Sequence, residues 1–377
     1  MNKLKVMTVV GTRPEIIRLS QVIKACDRYF NHILVHTGQN YDDTLNKIFF
    51  QDLGLRDPDY YLDCAGKDLG DTMGNILSRS YHVIEKERPD AFLVLGDTNS
   101  ALSALSAKRW KVPIFHMEAG NRCFDQNVPE EINRKMVDHI ADINLPYTEH
   151  SRRYLLQEGF RREHIFVTGS PMTEVLKNHE KDINNSDALN SYGLESKKYI
   201  LVSAHREENI DLENNFKDLM EGINQVAEEY GFPVLYSTHP RSRKMIEKRD
   251  FSFHPLVRNV EPLGYFDYNK LQMNAYCVLS DSGTLSEESN ILGFPAVLIR
   301  TSTERPEAVE KGSVLLGGIR KEEMISSVEM AVRAWEEGAD FGRVTDYQDY
   351  NVSEKVVRII QGYTKVINRV VWMKDLS

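Results

Sequence analysis

The stretch KVMTVVGTRPE, Lys5 to Glu15, decides the reading of the fold. Its apolar run from Val6 to Val10 suits a strand buried on both faces, and Gly11 ends it. Thr12-Arg13-Pro14-Glu15 then reads as a capping box, with Pro just inside a helix and Glu three residues after Thr. Strand, tight turn and helix together begin a βαβ unit. Outward from there the same period recurs: Ile33–His36, Ala91–Leu95, Pro113–Phe115, Ile143–Leu145 and Ile165–Val167. A second series follows in Tyr199–Val202, Val234–Tyr236, Tyr276–Leu279, Ala296–Ile299 and Val314–Leu316. These runs are continuous rather than alternating, and the gaps between them can hold helices, as parallel sheets require. Thr284-Leu285-Ser286-Glu287 repeats the capping device. Val356, Val357, Ile359, Ile360, Val366, Ile367, Val370 and Val371 follow helical spacing.

The expected class is therefore α/β, with two doubly wound, Rossmann-like domains. Residues 1–170 make the first and 171–353 the second, with a break near Gly169–Glu174 and a polar stretch, Asn178–Ser191, opening the second half. The terminal helix, 354–377, is expected to pack back on the first domain.

Composition narrows the function. The chain has 377 residues, 47 Lys+Arg against 56 Asp+Glu, and a net charge of −9. At roughly 150 residues per domain, two domains fit this length. A pI near 5.7 argues against a nucleic-acid partner, which needs a basic surface. Any anionic ligand must be held by a local basic cluster. No run approaches the roughly 20 apolar residues of a membrane span, and the first residues lack a signal-peptide core, so a cytoplasmic location is expected. Cys26, Cys64, Cys123 and Cys277 form no CxxC pair, which fits neither a disulfide framework nor a zinc site.

In open parallel sheets ligands bind beyond the carboxyl ends of the strands. The segments there are Gly11–Glu15, Thr37-Gly38-Gln39-Asn40, Gly96–Ser100, Glu118–Arg122, Ala204–Asn209, Thr238–Arg241, Asp281–Thr284 and Thr303–Glu307. Eight polar loops, split between the halves, are expected to line a cleft between two domains. Ser282, Gly283 and Thr284 precede a helix, where free N–H groups and the helix dipole attract phosphate. The Arg13 loop adds a guanidinium to the same arrangement, and Arg206, Arg241 and Arg305 can add bidentate contacts. Asp97, Glu118, Glu130 and Glu131 are acid–base candidates, and several carboxylates in one cleft can have their pKa values driven apart. There is no GxxxxGK[ST], no GxGxxG after the first strand and no HExxH, so a P-loop nucleotidase, tightly held NAD and a zincin are not indicated. Asp57-Pro58-Asp59 reads as a turn.

GTRPE, GDTNS, HMEAGNR, PEEINR, THP, DSGTLSEE and TERPE occur in the order found in bacterial non-hydrolysing UDP-N-acetylglucosamine 2-epimerases, which this chain resembles along nearly its whole length. The resemblance implies a glycosyltransferase-B-like fold. Arg18 stands where the family commonly has lysine, Asn121 where it has leucine and Thr284 where it has glycine. The segment Thr37–Phe50 with AGNRCFDQNVPEEINRK is similar to the capsule and O-antigen subgroup, which acts on UDP-N-acetyl-L-talosamine to give UDP-N-acetyl-L-fucosamine. UDP-GlcNAc/UDP-ManNAc epimerisation is the alternative substrate reading. A glycosyltransferase of the same two-domain type, a hydrolysing epimerase and a nucleotide-sugar sensor are the rival functions.

The resemblance further implies elimination of UDP to a 2-acetamidoglycal and re-addition, without a cofactor or metal. It makes Asp97, Glu118, Glu130 and His205 the catalytic residues. The substrate and UDP would meet Arg13, Arg18, Gln39, Arg122, Arg134, Arg206, His239, Ser282, Gly283, Thr284, Glu288 and Arg305. It also implies a homodimer.

Overall fold

A computed structural model describes residues 3–39 and 50–374. The Asn40 end of the Thr37 loop and most of the segment Thr37–Phe50 lie outside the described residues. The chain divides into two units, Met1–Val175 with Asp349–Ser377, and Leu176–Gln348. The division falls within a helix, Pro171–Asn178.

Unit 1 holds six strands: β1 (Lys5–Val10), β2 (Asn31–His36), β3 (Tyr60–Tyr61), β4 (Ala91–Leu95), β5 (Ile114–Met117) and β6 (Ile143–Leu145). Their order is β3-β2-β1-β4-β5-β6, every pairing parallel, with Val6 beside Ala91 and Phe92 beside Ile114. Met7, Val9, Phe92 and Val94 pack with Ile76, Ile84 and Val137 of the flanking helices. The helix Arg13–Tyr29 buries Ile16, Leu19, Val22 and Ile23, and packs against the helix Val352–Val370. That second helix buries Val356, Val357, Ile360 and Ile367, and Tyr29 donates to Glu354 at 3.0 Å.

Unit 2 repeats the plan with β7 (Ile200–Ser203), β8 (Val234–Ser237), β9 (Val257–Val260), β10 (Cys277–Ser280), β11 (Ala296–Leu298) and β12 (Leu315–Leu316). Their order is β12-β11-β10-β7-β8-β9, again all parallel. Ile200 and Val202 face one hydrophobic cluster and Leu201 the other; Leu279 and Val278 divide the same way. Burial on both faces is why these strands show no polar alternation.

Four local expectations need correction. Ile165–Val167 is not a strand: only Ile165 makes an isolated bridge, to Asn144. Tyr60–Tyr61 and Val257–Val260 are edge strands that their sequences did not reveal, one being two residues long and the other mostly solvent-facing. Thr12 caps no N–H with its side chain; instead Glu15 accepts from the Gly11 N–H at 3.0 Å and the Thr12 hydroxyl at 2.9 Å. Thr284 is the first residue of its helix, after Gly283, so Thr284–Glu287 is no capping box. Among the described residues no helix is long and apolar enough to cross a membrane.

Candidate active site

In each sheet the strand order reverses direction once, between β1 and β4 and between β7 and β10. Loops leaving such a point diverge to opposite faces and open a crevice beyond the strand ends. The candidate residues gather on those loops and their neighbours.

In unit 1, β1 leads to Gly11, Arg13 and Glu15. A Cβ on Gly11 would lie 2.3 Å from the Thr37 hydroxyl and 3.1 Å from Gln39, so only glycine lets these loops meet. Arg13, half-buried, begins the helix that carries Arg18. Glu15 is 1% exposed. Besides Gly11 and Thr12, it accepts from the Ser100 hydroxyl of the loop after β4. Burial raises its pKa to about 7, against the opposing pull of those donors.

β4 leads to Asp97, whose carboxylate takes the Arg134 guanidinium at 2.7 Å and whose carbonyl accepts from Asn133 at 2.9 Å. Both partners belong to the helix Pro129–Ile140. Glu130, half-buried in its first turn, lies four residues before Arg134 and so shares its face. Glu131 is different: it is fully buried, accepts from the Cys123 and Phe124 N–H groups, and pairs with Lys135 at 3.1 Å. Burial would raise its pKa, but the Cys123 N–H, Lys135 and Arg134 outweigh it and hold it below the usual carboxylate range. These bonds tie it to the loop before the helix.

β5 leads to Glu118, which occupies φ +63°. A non-glycine residue there costs of order 1–3 kcal/mol and persists when its surroundings demand it. Its carboxylate pairs with Arg18 and accepts from Asn121. Arg122, expected among the substrate contacts, ends the same loop. That guanidinium is 1% exposed and bonded to Asp138 at 2.7 Å and Glu158 at 2.5 Å, so its charge is already matched inside the unit. The same Asp138 lies 2.9 Å from His116, whose Nε2 contacts the Gly96 carbonyl at 2.8 Å.

In unit 2 the hub is Asp281, fully buried after β10. Its Oδ2 accepts from the His205 and Arg206 N–H groups, both at 2.9 Å, and from Asn209 at 3.1 Å. Its Oδ1 lies 3.3 Å from His205 Nδ1, leaving Nε2 of that 40% exposed ring for a ligand. The His239 ring lies 5.4 Å away. His239 caps the helix Pro240–Lys248 by accepting the Arg241 N–H at Nδ1, so its proton sits on Nε2. Arg241 itself pairs with Glu207 at 2.6 Å and Asp211 at 2.7 Å.

Ser282, Gly283 and Thr284 precede and begin the nine-residue helix Thr284–Leu292, with the two hydroxyls 3.0 Å apart. A Cβ on Gly283 would stand 2.5 Å from Glu304. Glu304 bridges Arg206 at 2.9 Å and Arg300 at 2.7 Å, and thereby ties the His205 loop to the Thr303 loop. Arg305, 1% exposed, faces Glu287 at 3.3 Å. Glu288 is 5% exposed and accepts from Gln272 at 2.8 Å. Sequence reasoning placed the loops but missed Glu15, Asp281 and Glu304 as their fasteners. For Asp281 and Glu304 the available signal was a carboxylate beside Ser or Thr in a loop after a strand; Glu15, between Pro14 and Ile16 in a helix start, offered none.

Unit 1 thus sets carboxylates against guanidinium partners where a proton could be moved. Unit 2 sets imidazole, guanidinium and a helix N-terminus where an anion could be held.

A family model described as UDP-N-acetylglucosamine 2-epimerase matches residues 24–361. The structure of UDP-N-acetylglucosamine 2-epimerase from Rickettsia bellii shares 46% identity at a TM-score of 0.91, covering 99% of this chain and 100% of that one. The Methanocaldococcus jannaschii UDP-GlcNAc 2-epimerase, in complex with UDP-GlcNAc and UDP, shares 34% at 0.88, covering 95% and 100%. A UDP-2,3-diacetamido-2,3-dideoxy-D-glucuronate 2-epimerase of Pseudomonas aeruginosa is 35% identical over 328 residues, 86% of this chain and 91% of that one. The fold is glycosyltransferase-B-like, with two Rossmann-like domains.

Proposed function

The chain belongs to the UDP-N-acetylglucosamine 2-epimerase family, and from that premise we propose how its residues invert C2 of a UDP-activated 2-acetamido sugar. It is a UDP-sugar 2-epimerase, an isomerase. The C2 hydrogen of such a sugar adjoins no carbonyl and has little acidity. In our reading the C1–O bond breaks first, and oxocarbenium character at C1 loosens the C2–H bond. UDP departs, a 2-acetamidoglycal remains, and re-addition with a proton on the opposite face inverts C2.

The observation that carries this reading is the division of chemistry between the two strand-reversal points. Departing diphosphate needs fixed donors that strengthen as charge develops, and His205, His239, Arg206, Arg305 and the Ser282–Thr284 turn are groups of that type. Arg13 adds positive charge. Asp97, Glu118 and Glu130 supply the acid and base, with Arg18 and Arg134 holding two of them, and Gln39 adjoins the Gly11 turn. Glu288 meets the ribose hydroxyls. General acid–base groups of this kind are each worth on the order of 10²–10⁴ in rate.

For the hexose, the subgroup resemblance supports UDP-N-acetyl-L-talosamine to UDP-N-acetyl-L-fucosamine, in capsule or O-antigen synthesis by a cytoplasmic homodimer. A second reading, UDP-GlcNAc to UDP-ManNAc, is supported by the complexed M. jannaschii relative. Turnover of a panel of UDP-2-acetamido sugars, followed by proton NMR, decides between them: the physiological sugar should turn over at least tenfold faster than the others. Turnover that needs an acceptor sugar would instead mark a glycosyltransferase, and release of the free 2-acetamido sugar a hydrolysing enzyme.

A further inference from the structure

We propose that Asn121 is a positioning residue for Glu118, oriented by a hydroxyl relay from the helix Glu149–Gln157; the proposal rests on the acid–base reading of Glu118 above. Asn121 is 2% exposed, and its Nδ2 donates to Glu118 Oε1 at 3.2 Å. Its Oδ1 accepts from the Ser151 hydroxyl at 3.0 Å, and Ser151 accepts from the Thr148 hydroxyl at 3.3 Å. The relay has one direction. Flipping the amide would set its oxygen against the Glu118 carboxylate, two acceptors with no hydrogen between them.

Arg18 and Asn121 engage different oxygens of Glu118. One donor alone would let the carboxylate turn about its terminal bond; two on separate oxygens fix its plane. Both donors complement its charged form. The backbone is built around this contact. Glu118 lies at φ +63° and Gly120 at φ +79°. A Cβ on Gly120 would stand 2.5 Å from the Ser151 carbonyl, so only glycine lets the loop lie against the helix that orients the amide.

The test compares the native chain with Asn121→Leu, Asn121→Asp, Ser151→Ala and Ser151→Thr, using kcat, KM and deuterium exchange at C2 for a turned-over UDP-sugar. Folding is checked by circular dichroism and UDP affinity. Asn121→Leu and Asn121→Asp should lose on the order of 10²-fold in kcat and exchange, the scale of a misplaced catalytic group, with KM within about threefold. Ser151→Ala should lose less, because the amide remains but can flip, and Ser151→Thr should recover most of that loss. Folded Asn121 variants with native kcat, or with raised KM and intact kcat, overturn the proposal alone. A native chain that exchanges no C2 hydrogen overturns the acid–base reading and this proposal with it.

Discussion

Glu15 illustrates how a single buried group can be read as energy. Its pKa lies near 7 instead of 4.5, chiefly through burial. A carboxyl raised on folding adds stability while protonated; that contribution is full below pH 4.5 and is lost as pH rises through 7, about 3 kcal/mol in all. Chemical denaturation at pH 5 and pH 8 should therefore show a pH-dependent loss that Glu15→Gln diminishes, and an unchanged slope in that variant would refute the assignment. Asp97→Asn and Glu130→Gln should fold and bind UDP normally while losing epimerisation by at least 10²-fold. Wild-type turnover in both would remove them from the chemistry. At this scale the sequence was partly legible. Asp97 and Glu118 announce themselves because each follows an apolar strand. Glu15 does not, because its place in a helix-start motif conceals that it fastens two loops. The partners of Arg122, Asp138 and Glu158, lie 16 and 36 residues away, beyond the reach of any local pattern.

Elements were more legible than residues, since a strand buried on both faces must be apolar throughout. Every long run except Ile165–Val167 became a strand, and that one lacks a partner beyond a single bridge. The edge strands Tyr60–Tyr61 and Val257–Val260 escaped because an edge needs no continuous apolar run. Two element-scale outcomes follow. Ile360 is fully buried on the helix Val352–Val370, which packs on the Arg13–Tyr29 helix. Ile360→Ala should cost 2–5 kcal/mol in urea unfolding, roughly the usual range for a buried methyl cluster; under 1 kcal/mol would mean the helix is dispensable. Gly283→Ala keeps an allowed backbone, φ −62°, but drives a methyl onto Glu304. Overpacking there costs about 1–3 kcal/mol, and calorimetry should show UDP binding weakened at least tenfold. Native affinity would separate that turn from the phosphate.

For the whole molecule, one strand plan appears twice, and the candidate residues lie on loops around the reversal point of each copy. A chain of net charge −9 repels a nucleotide sugar on average, so recognition must come from local arginines, histidines and oriented N–H groups. What no single-chain pattern conveys is the pairing that fixes those groups, because it joins residues far apart in sequence, such as Arg206 with Glu304. The central claim is that C2 inverts by losing its hydrogen and taking a solvent-derived one on the opposite face while UDP is detached. Its most direct measurement is mass and proton NMR analysis of the UDP-sugar pair after turnover in D₂O, with no NAD or metal added. The account predicts deuterium at C2 of the newly formed epimer, accompanied by traces of UDP and glycal. Inversion with the original hydrogen retained, or inversion only when NAD is supplied, would contradict it.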